Sequence, residues 1–327
     1  MTRINPAPLL IALLLLSILS LFVAALVGSA GLTAAEGLAA LFGQGAEQSR
    51  ALVLDLRVPR ALTAFSVGGL LAVAGVLMQV LLRNPLAEPY ILGSSGGAAV
   101  AALLAISAGA GSLLVDGAAF AGAMGATLLV FAIARGTGSW TPTRLLLTGV
   151  VLAAGFGAAT TLILALSPDQ HLRGMLFWLM GDLSFAYDPG RTLTLLAILA
   201  IAGTLSARHL NVLAAGEQQA AIVGMPVTRV RYIIFAVASL ATALAVTTVG
   251  VIGFVGLVVP HLMRLVAGSN HRIIVPASAL GGGLLLVIAD TLSRTLMAPR
   301  QLPVGALTAA IGVPLFLLLI RKSRAYR

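Results

Sequence analysis

An apolar chain is broken between residues 79 and 93 by the string Gln79-Val80-Leu81-Leu82-Arg83-Asn84-Pro85-Leu86-Ala87-Glu88-Pro89-Tyr90-Ile91-Leu92-Gly93. The stretches on either side, 61–82 and 91–110, are each long enough to cross a bilayer. Two prolines and the polar groups of Arg83, Asn84 and Glu88 cannot continue a helix exposed to lipid, where every unpaired backbone group is costly. The chain must therefore turn here, at a membrane face. Composition agrees: 59% of the 327 residues are hydrophobic and 9% charged, where a soluble domain carries about a quarter charged. The expectation is an all-α polytopic membrane protein forming one integral domain, 1–327, in contact with membrane lipid.

The formal net charge of +10 does not call for a nucleic-acid partner. The arginines are dispersed at the ends of apolar stretches, as the positive-inside bias produces. Lysine usage says more. The only lysine is Lys322, near the end of the chain, so no Walker A phosphate loop exists and this chain does not hydrolyse ATP by that route. Thirty-six glycines suit helices that approach closely in a bilayer. The absence of cysteine excludes disulfides, iron–sulfur clusters and thiolate metal sites. No metal site, catalytic residue or bound cofactor is expected in this chain.

About ten transmembrane helices are expected, near 8–28, 61–82, 91–110, 113–134, 145–166, 192–206, 230–252, 253–267, 273–293 and 303–320. With both termini cytoplasmic, thirteen of the 20 basic residues fall on the inner side. The opposite orientation reverses the bias. Arg3 and the string Gly28-Ser29-Ala30 imitate a signal peptide around the first stretch. Its apolar core is longer than such segments carry, so it is read as a transmembrane helix.

Three strings carry further information. Residues 210–225, Leu-Asn-Val-Leu-Ala-Ala-Gly-Glu-Gln-Gln-Ala-Ala-Ile-Val-Gly-Met, read as two short amphipathic helices broken at glycine. Residues 252–264 read Ile-Gly-Phe-Val-Gly-Leu-Val-Val-Pro-His-Leu-Met-Arg, and Leu302-Pro303-Val304-Gly305 precedes Gly312-Val313-Pro314-Leu315-Phe316 near the end. The interruptions at 84–89 and 256–261 fall one in each half, as they do in transporters built from inverted repeats that line a pathway, but the two segments are too dissimilar to establish a repeat. Two other function classes compete. Gly93-Ser94-Ser95-Gly96, with His261 as base, fits an intramembrane serine protease, although such small-residue strings more often serve packing. An ion-coupled secondary transporter would place ionisable groups within spans, whereas the carboxylates here sit at span ends, Asp116 and Asp290 included.

Together, in this order, the strings resemble the iron-complex and vitamin B12 permeases of type II ABC importers over nearly the whole chain. The resemblance implies coupling helices that dock on an ATP-binding subunit, carried here by Leu210, Asn211, Leu213, Gly216, Glu217, Ala220 and Gly224, with Ala215 where many relatives have leucine. It also implies the signature around Pro260-His261, with Asn270 where relatives often have aspartate. The implied assembly is a homodimer of the permease, two ATP-binding subunits that hold ATP and Mg, and a periplasmic solute-binding protein. The setting is the bacterial inner membrane and the mechanism alternating access. Reversing Glu217 to Arg is expected to weaken assembly or coupling.

Arg57, Arg60 and Arg294 match arginines that meet glutamates on the binding protein of vitamin B12 permeases. Their plainer role is an ion pair with Asp55 or Asp290, or snorkelling. Reversing all three to glutamate is expected to slow docking and leave folding intact. By the same resemblance Met78, Gln79, Trp140, Thr141 and Pro142 belong to the pathway and its inner gate, with Trp140 equally an interfacial anchor. The segment 169–182 most resembles heme permeases. Arg173 is expected to pair with a propionate, and His171, Met175, Trp178 and Met180 to meet the macrocycle or its iron. Anchoring at the interface is the competing role of Arg173 and Trp178. Heme is the expected cargo, with ferric siderophore and cobalamin as alternatives.

Overall fold

The computed structural model describes residues 6–29, 31–136, 141–184 and 188–324, and every regular element among them is helical. Helix α1 (Pro6–Leu26) is followed by α2 (Ala34–Leu41), α3 (Glu47–Ala51) and α4 (Val58–Leu82). A capping box starts α2: the Thr33 hydroxyl accepts from the Glu36 N–H, and the Glu36 carboxylate accepts from the Thr33 N–H. Those bonds hold the Glu36 carboxyl below the usual carboxylate range. A π-helical stretch, Leu52–Arg57, joins α3 to α4, so that Glu47–Leu82 is one 36-residue helical run. The chain continues through α5 (Ser94–Ser107), α6 (Ser112–Arg135), α7 (Pro142–Leu166), α8 (Asp169–Met180), α9 (Gly190–Leu205), α10 (Ala207–Ala215) and α11 (Glu217–Ile222). It closes with α12 (Val227–Val249), α13 (Val255–Ala267), α14 (His271–Thr295) and α15 (Val304–Arg324).

All ten expected stretches are helical, but they do not all reach across a bilayer. Among the described residues six helices are long and apolar enough, or seven if α9 and α10, bent by 62°, count as one broken span. Helices α5 and α13 have 14 and 13 residues, about 20 Å at 1.5 Å per residue against about 30 Å of hydrocarbon. Of the residues that hydropathy assigned to spans, Ile91 and Leu92 end a short 3-10 helix, Pro89–Leu92, and 250–254 are extended chain closed by a bend. Proline, and glycines at positive φ (Gly93 and Gly250), end helical geometry there whatever the apolarity.

Helix α4 forms the axis of the bundle, nearly all of it buried between α14, α12, α13 and α9. Its glycines explain how. A Cβ at Gly68 would collide with the Gly282 carbonyl of α14, and one at Gly75 with the Gly256 carbonyl of α13. In a bilayer no hydrophobic force gathers helices, so such backbone approach and the dispersion contacts it permits do the packing. Leu70, Leu71, Met78 and Leu81 of α4 are fully buried, as are Ile274 and Leu286 of α14. Helix α7 is the opposite case: only Leu145 and Gly149 are buried, and Leu147, Val150, Val151 and Leu162 are exposed.

Candidate functional site

Three groups of residues lie along α4, two of them at the ends of α14 as well, and a fourth stands apart on α8. At the C-terminal end of α4 lie α10 and α11, bent apart at Gly216, whose φ of 133° is open to glycine and costly for other residues. Leu210, Leu213 and Ala220 are buried and face the bundle. Asn211 also turns inward. Its Oδ1 accepts from the His271 N–H at 2.9 Å and lies 2.7 Å from Nδ1 of the His271 ring. Its amide donates to Asn270 Oδ1 at 3.1 Å, and Asn270 in turn caps α14 by accepting from the Arg272 N–H. Asparagine caps as well as the aspartate of relatives. Glu217 reaches Arg231 of α12 at 3.1 Å and Arg83, the left-handed residue ending α4, at 3.7 Å. The larger exposed side chains of α11 and the turn after it are Gln218, Gln219, Ile222 and Val223, the last two 84% and 69% exposed. The sequence reading passed over Ile222 and Val223. An apolar pair closing a polar loop before Gly224 was the signal.

In the middle, the two interruptions meet. Glu88 Oε1 accepts from the Phe254 N–H at 2.9 Å, the Tyr90 hydroxyl from the Ile252 N–H at 3.2 Å, and Gln79 donates to the Leu257 carbonyl at 3.3 Å. These bonds satisfy the start of α13, where Phe254 sits at φ 69°. Replacing Glu88 by Ala should leave that N–H without a partner and cost about 1–3 kcal/mol. Glu88→Gln keeps an acceptor and should stay near the wild type. Thermal unfolding of the purified permease decides, and equal midpoints for Glu88→Ala and wild type would remove Glu88 from this role.

At the N-terminal end of α4 stands a charged cluster around Asp290, 1% exposed. Arg60 binds its carboxylate at 2.8 Å and Arg294 at 3.1 Å. Arg57 donates to the Leu26 carbonyl at 2.6 Å, and Arg294 to those of Ala24 and Val27 at 3.2 Å. Both arginines thus cap the C-terminal carbonyls of α1, the negative end of its dipole. Arg57 and Arg294 are each 4% exposed. Asp55, the other expected partner, is exposed and forms no ion pair among the described residues. Reversing all three arginines would bury carboxylates against carbonyls, so the expectation that folding survives is corrected. The three guanidiniums, with Ser184 and Gln301, line a cavity of about 200 Å³.

The expected cargo residues are split by burial. Met175 and Met78 are fully buried and Gln79 is buried, so in this conformation the two methionines touch no cargo. Helix α8 presents Arg173, whose guanidinium lies 5.9 Å over the Phe177 ring, and Met180. His171 and Trp178 are half-buried, Trp178 against α5 and α12. Thr141 caps α7 by accepting from the Arg144 N–H, and with Pro142 it lines a cavity that also holds Glu217. Trp140 lies outside the described residues. The protease pairing does not form: Ser94 is buried without a hydrogen-bond partner and the His261 ring packs edge-on against Phe316.

Comparison with known proteins gives one answer. The profile of the FecCD transport family matches residues 12–322. The chain is 42% identical over 278 residues to the cobalamin import system permease BtuC of Halobacterium salinarum, covering 84% of this chain and 74% of that protein. It is 41% identical over 282 residues to the hemin transport system permease HmuU of Yersinia pestis, covering 84% of each. Among solved structures, an inward-facing transporter assigned to the metal-chelate type of ABC transporter superposes with a TM-score of 0.83 at 28% identity, covering 97% of this chain and all of that one.

Proposed function

We propose, from the premise that this chain belongs to the FecCD transport family, that it is the heme-translocating subunit of its importer. As a family member it is a multi-pass membrane permease of an ABC importer for iron complexes, vitamin B12 or siderophores, and not itself an enzyme. Our reading goes further. Two copies pair along α7, two ATP-binding subunits carrying ATP and Mg sit against α10 and α11, and a solute-binding protein delivers cargo at the opposite face. The whole chain acts as one domain of a bacterial inner membrane, with both termini in the cytoplasm.

One observation carries this reading. The candidate ATPase surface and the arginine-lined cavity lie at opposite ends of the same two helices, α4 and α14. A device worked by nucleotide below and fed from above needs that arrangement, because each partner must bias the same element. The binding protein would place carboxylates at the cavity, which three guanidiniums line while Asp290 is bonded to two of them. Such charge pairs set orientation and association rate. The uncovered face of α7 suits a second copy, since the apolar residues there have no partner within the subunit. Heme rests on α8, where exposed Arg173 stands about two turns from Met180 and, bonded to no carboxylate among the described residues, could take a propionate.

Reconstitution with the partner subunits tests both levels. Uptake into proteoliposomes should need ATP and the binding protein and should survive collapse of proton and sodium gradients. Uptake driven by either gradient without ATP would replace the permease reading with a secondary transporter. Cargo is decided separately: the cognate binding protein should show a Soret band with hemin and outcompete cobalamin and ferric siderophore. Arg173→Ala should lower hemin uptake about tenfold if the propionate pair forms, as loss of one desolvated charge-assisted bond implies.

A further inference from the structure

We infer that Glu217 is a positioning residue within the permease, tying α11 to α4 and α12 so that displacement of α11 moves them, and is not a contact to the ATPase subunit. The inference rests on the permease reading above. Helix α11 has six residues, too few to be stable alone, so its place is fixed by what it touches. Buried Ala220 is one anchor. The other is Glu217, at the first position of the helix, with each carboxylate oxygen directed at a different guanidinium: Oε2 at Arg231 and Oε1 at Arg83.

The two arms differ. Arg231 lies on α12, its side chain 11% exposed, with a bond of 3.1 Å, while Arg83 is 45% exposed at 3.7 Å. A short, largely desolvated, charge-assisted bond is the stiff one, and the longer exposed pair is weak and easily broken. Helix α12 is therefore coupled rigidly to α11, and the end of α4 loosely. The same charges line a cavity of about 600 Å³ with Leu82 of α4 and Thr141, Pro142 and Thr143 at the start of α7. Three elements thus meet at one carboxylate, and a fourth, α7, closes the cavity beside it. A shift of α11 changes the wall of the cavity that the first turn of α7 closes. Asn211 does the same for α10, holding it on the N-terminus of α14. Partner contact is left to the exposed Gln218, Gln219, Ile222 and Val223.

The complete transporter, reconstituted with its ATPase and binding protein, tests this through cargo carried per ATP hydrolysed. With Glu217→Gln the ATPase subunit should still copurify and hydrolyse ATP, while cargo carried per ATP falls about tenfold, within the usual range of coupling between sites. The double variant Glu217→Arg with Arg231→Glu restores the stiff pair in reverse and should recover part of that loss. Arg83→Gln removes only the loose, exposed arm and should lower the ratio less, with the thermal midpoint unchanged. Loss of ATPase copurification in Glu217→Gln with an unaltered ratio in whatever complex remains would make Glu217 a partner contact and overturn the inference. So would an unaltered ratio in both Glu217→Gln and the double variant. Absence of ATP-dependent uptake in the wild type overturns the permease reading itself, and this inference with it.

Discussion

Asp290→Ala should destabilise the permease by about 3–5 kcal/mol, the usual result of stripping one partner from a buried charge pair. The aspartate is 1% exposed and, among the described residues, is the one carboxylate bonded to Arg60 and Arg294. Arg294 cannot follow the loss by turning to water, because it is buried and held on the Ala24 and Val27 carbonyls. Arg60, beside the cavity, keeps Ser184 and Gln301 as its remaining partners among the described residues. Two guanidiniums would then face each other, with Arg57 beside them, and the capped end of α1 would loosen. A drop of roughly 10 °C in the unfolding midpoint follows from that free energy at 2–4 °C per kcal/mol. Tryptophan fluorescence of the detergent-purified chain reads it. Asp290→Asn keeps the acceptor and loses the charge, so it should fall between the two. A midpoint for Asp290→Ala within the error of wild type would show that the arginines are stabilised by something other than this carboxylate.

This cluster marks where sequence stopped being sufficient. Arg57, Arg60 and Arg294 were legible as charges kept against the positive-inside bias, and Asp290 as a partner for one of them. Their second role was not, because the carbonyls of Ala24 and Val27 come to Arg294 from about 270 positions away in the chain, and no periodicity encodes that. Long apolar stretches such as α6 and α12 could be placed from hydropathy alone. Helix α5 was overrun because Ile91 and Leu92 are as apolar as the helix that follows them. The Thr33–Glu36 capping box was present in the sequence and went unread. Around α10 and α11 the motif located the right segment, yet its invariant-looking letters turn inward. Leu210, Asn211, Leu213 and Ala220 hold the short helices on the bundle, and apart from Gly224 the exposed surface belongs to residues outside the motif. A motif records what the subunit needs in order to present a surface as readily as the surface itself. Cargo identity was the least legible part, since relatives with cobalamin and hemin in their names match this chain almost equally.

Gly75→Leu should yield no folded, monodisperse permease, whereas Gly155→Leu should fold as well as wild type. The two glycines look alike in sequence, each inside a long apolar stretch. At Gly75 a Cβ would fall on the Gly256 carbonyl, and Gly256 itself packs against Pro89 and the Leu71 carbonyl. Helix α13 cannot step back, because Glu88 holds the Phe254 N–H and Gln79 holds the Leu257 carbonyl. Ordinary overpacking costs about 1–3 kcal/mol, and here the obstacle is backbone and not a side chain that could turn away. A Cβ at Gly155 of α7 would meet nothing within 4 Å beyond its own helix among the described residues, and replacing glycine in a helix gains up to about 1 kcal/mol of helix propensity. Size-exclusion profiles and thermal midpoints of the two variants separate these cases. If α7 packs against a second copy, Gly155→Leu should leave the subunit intact while crosslinking between copies and ATP-dependent uptake are lost. A monodisperse Gly75→Leu variant melting with the wild type would mean that α13 is not seated on α4 as the Glu88 and Gln79 bonds require.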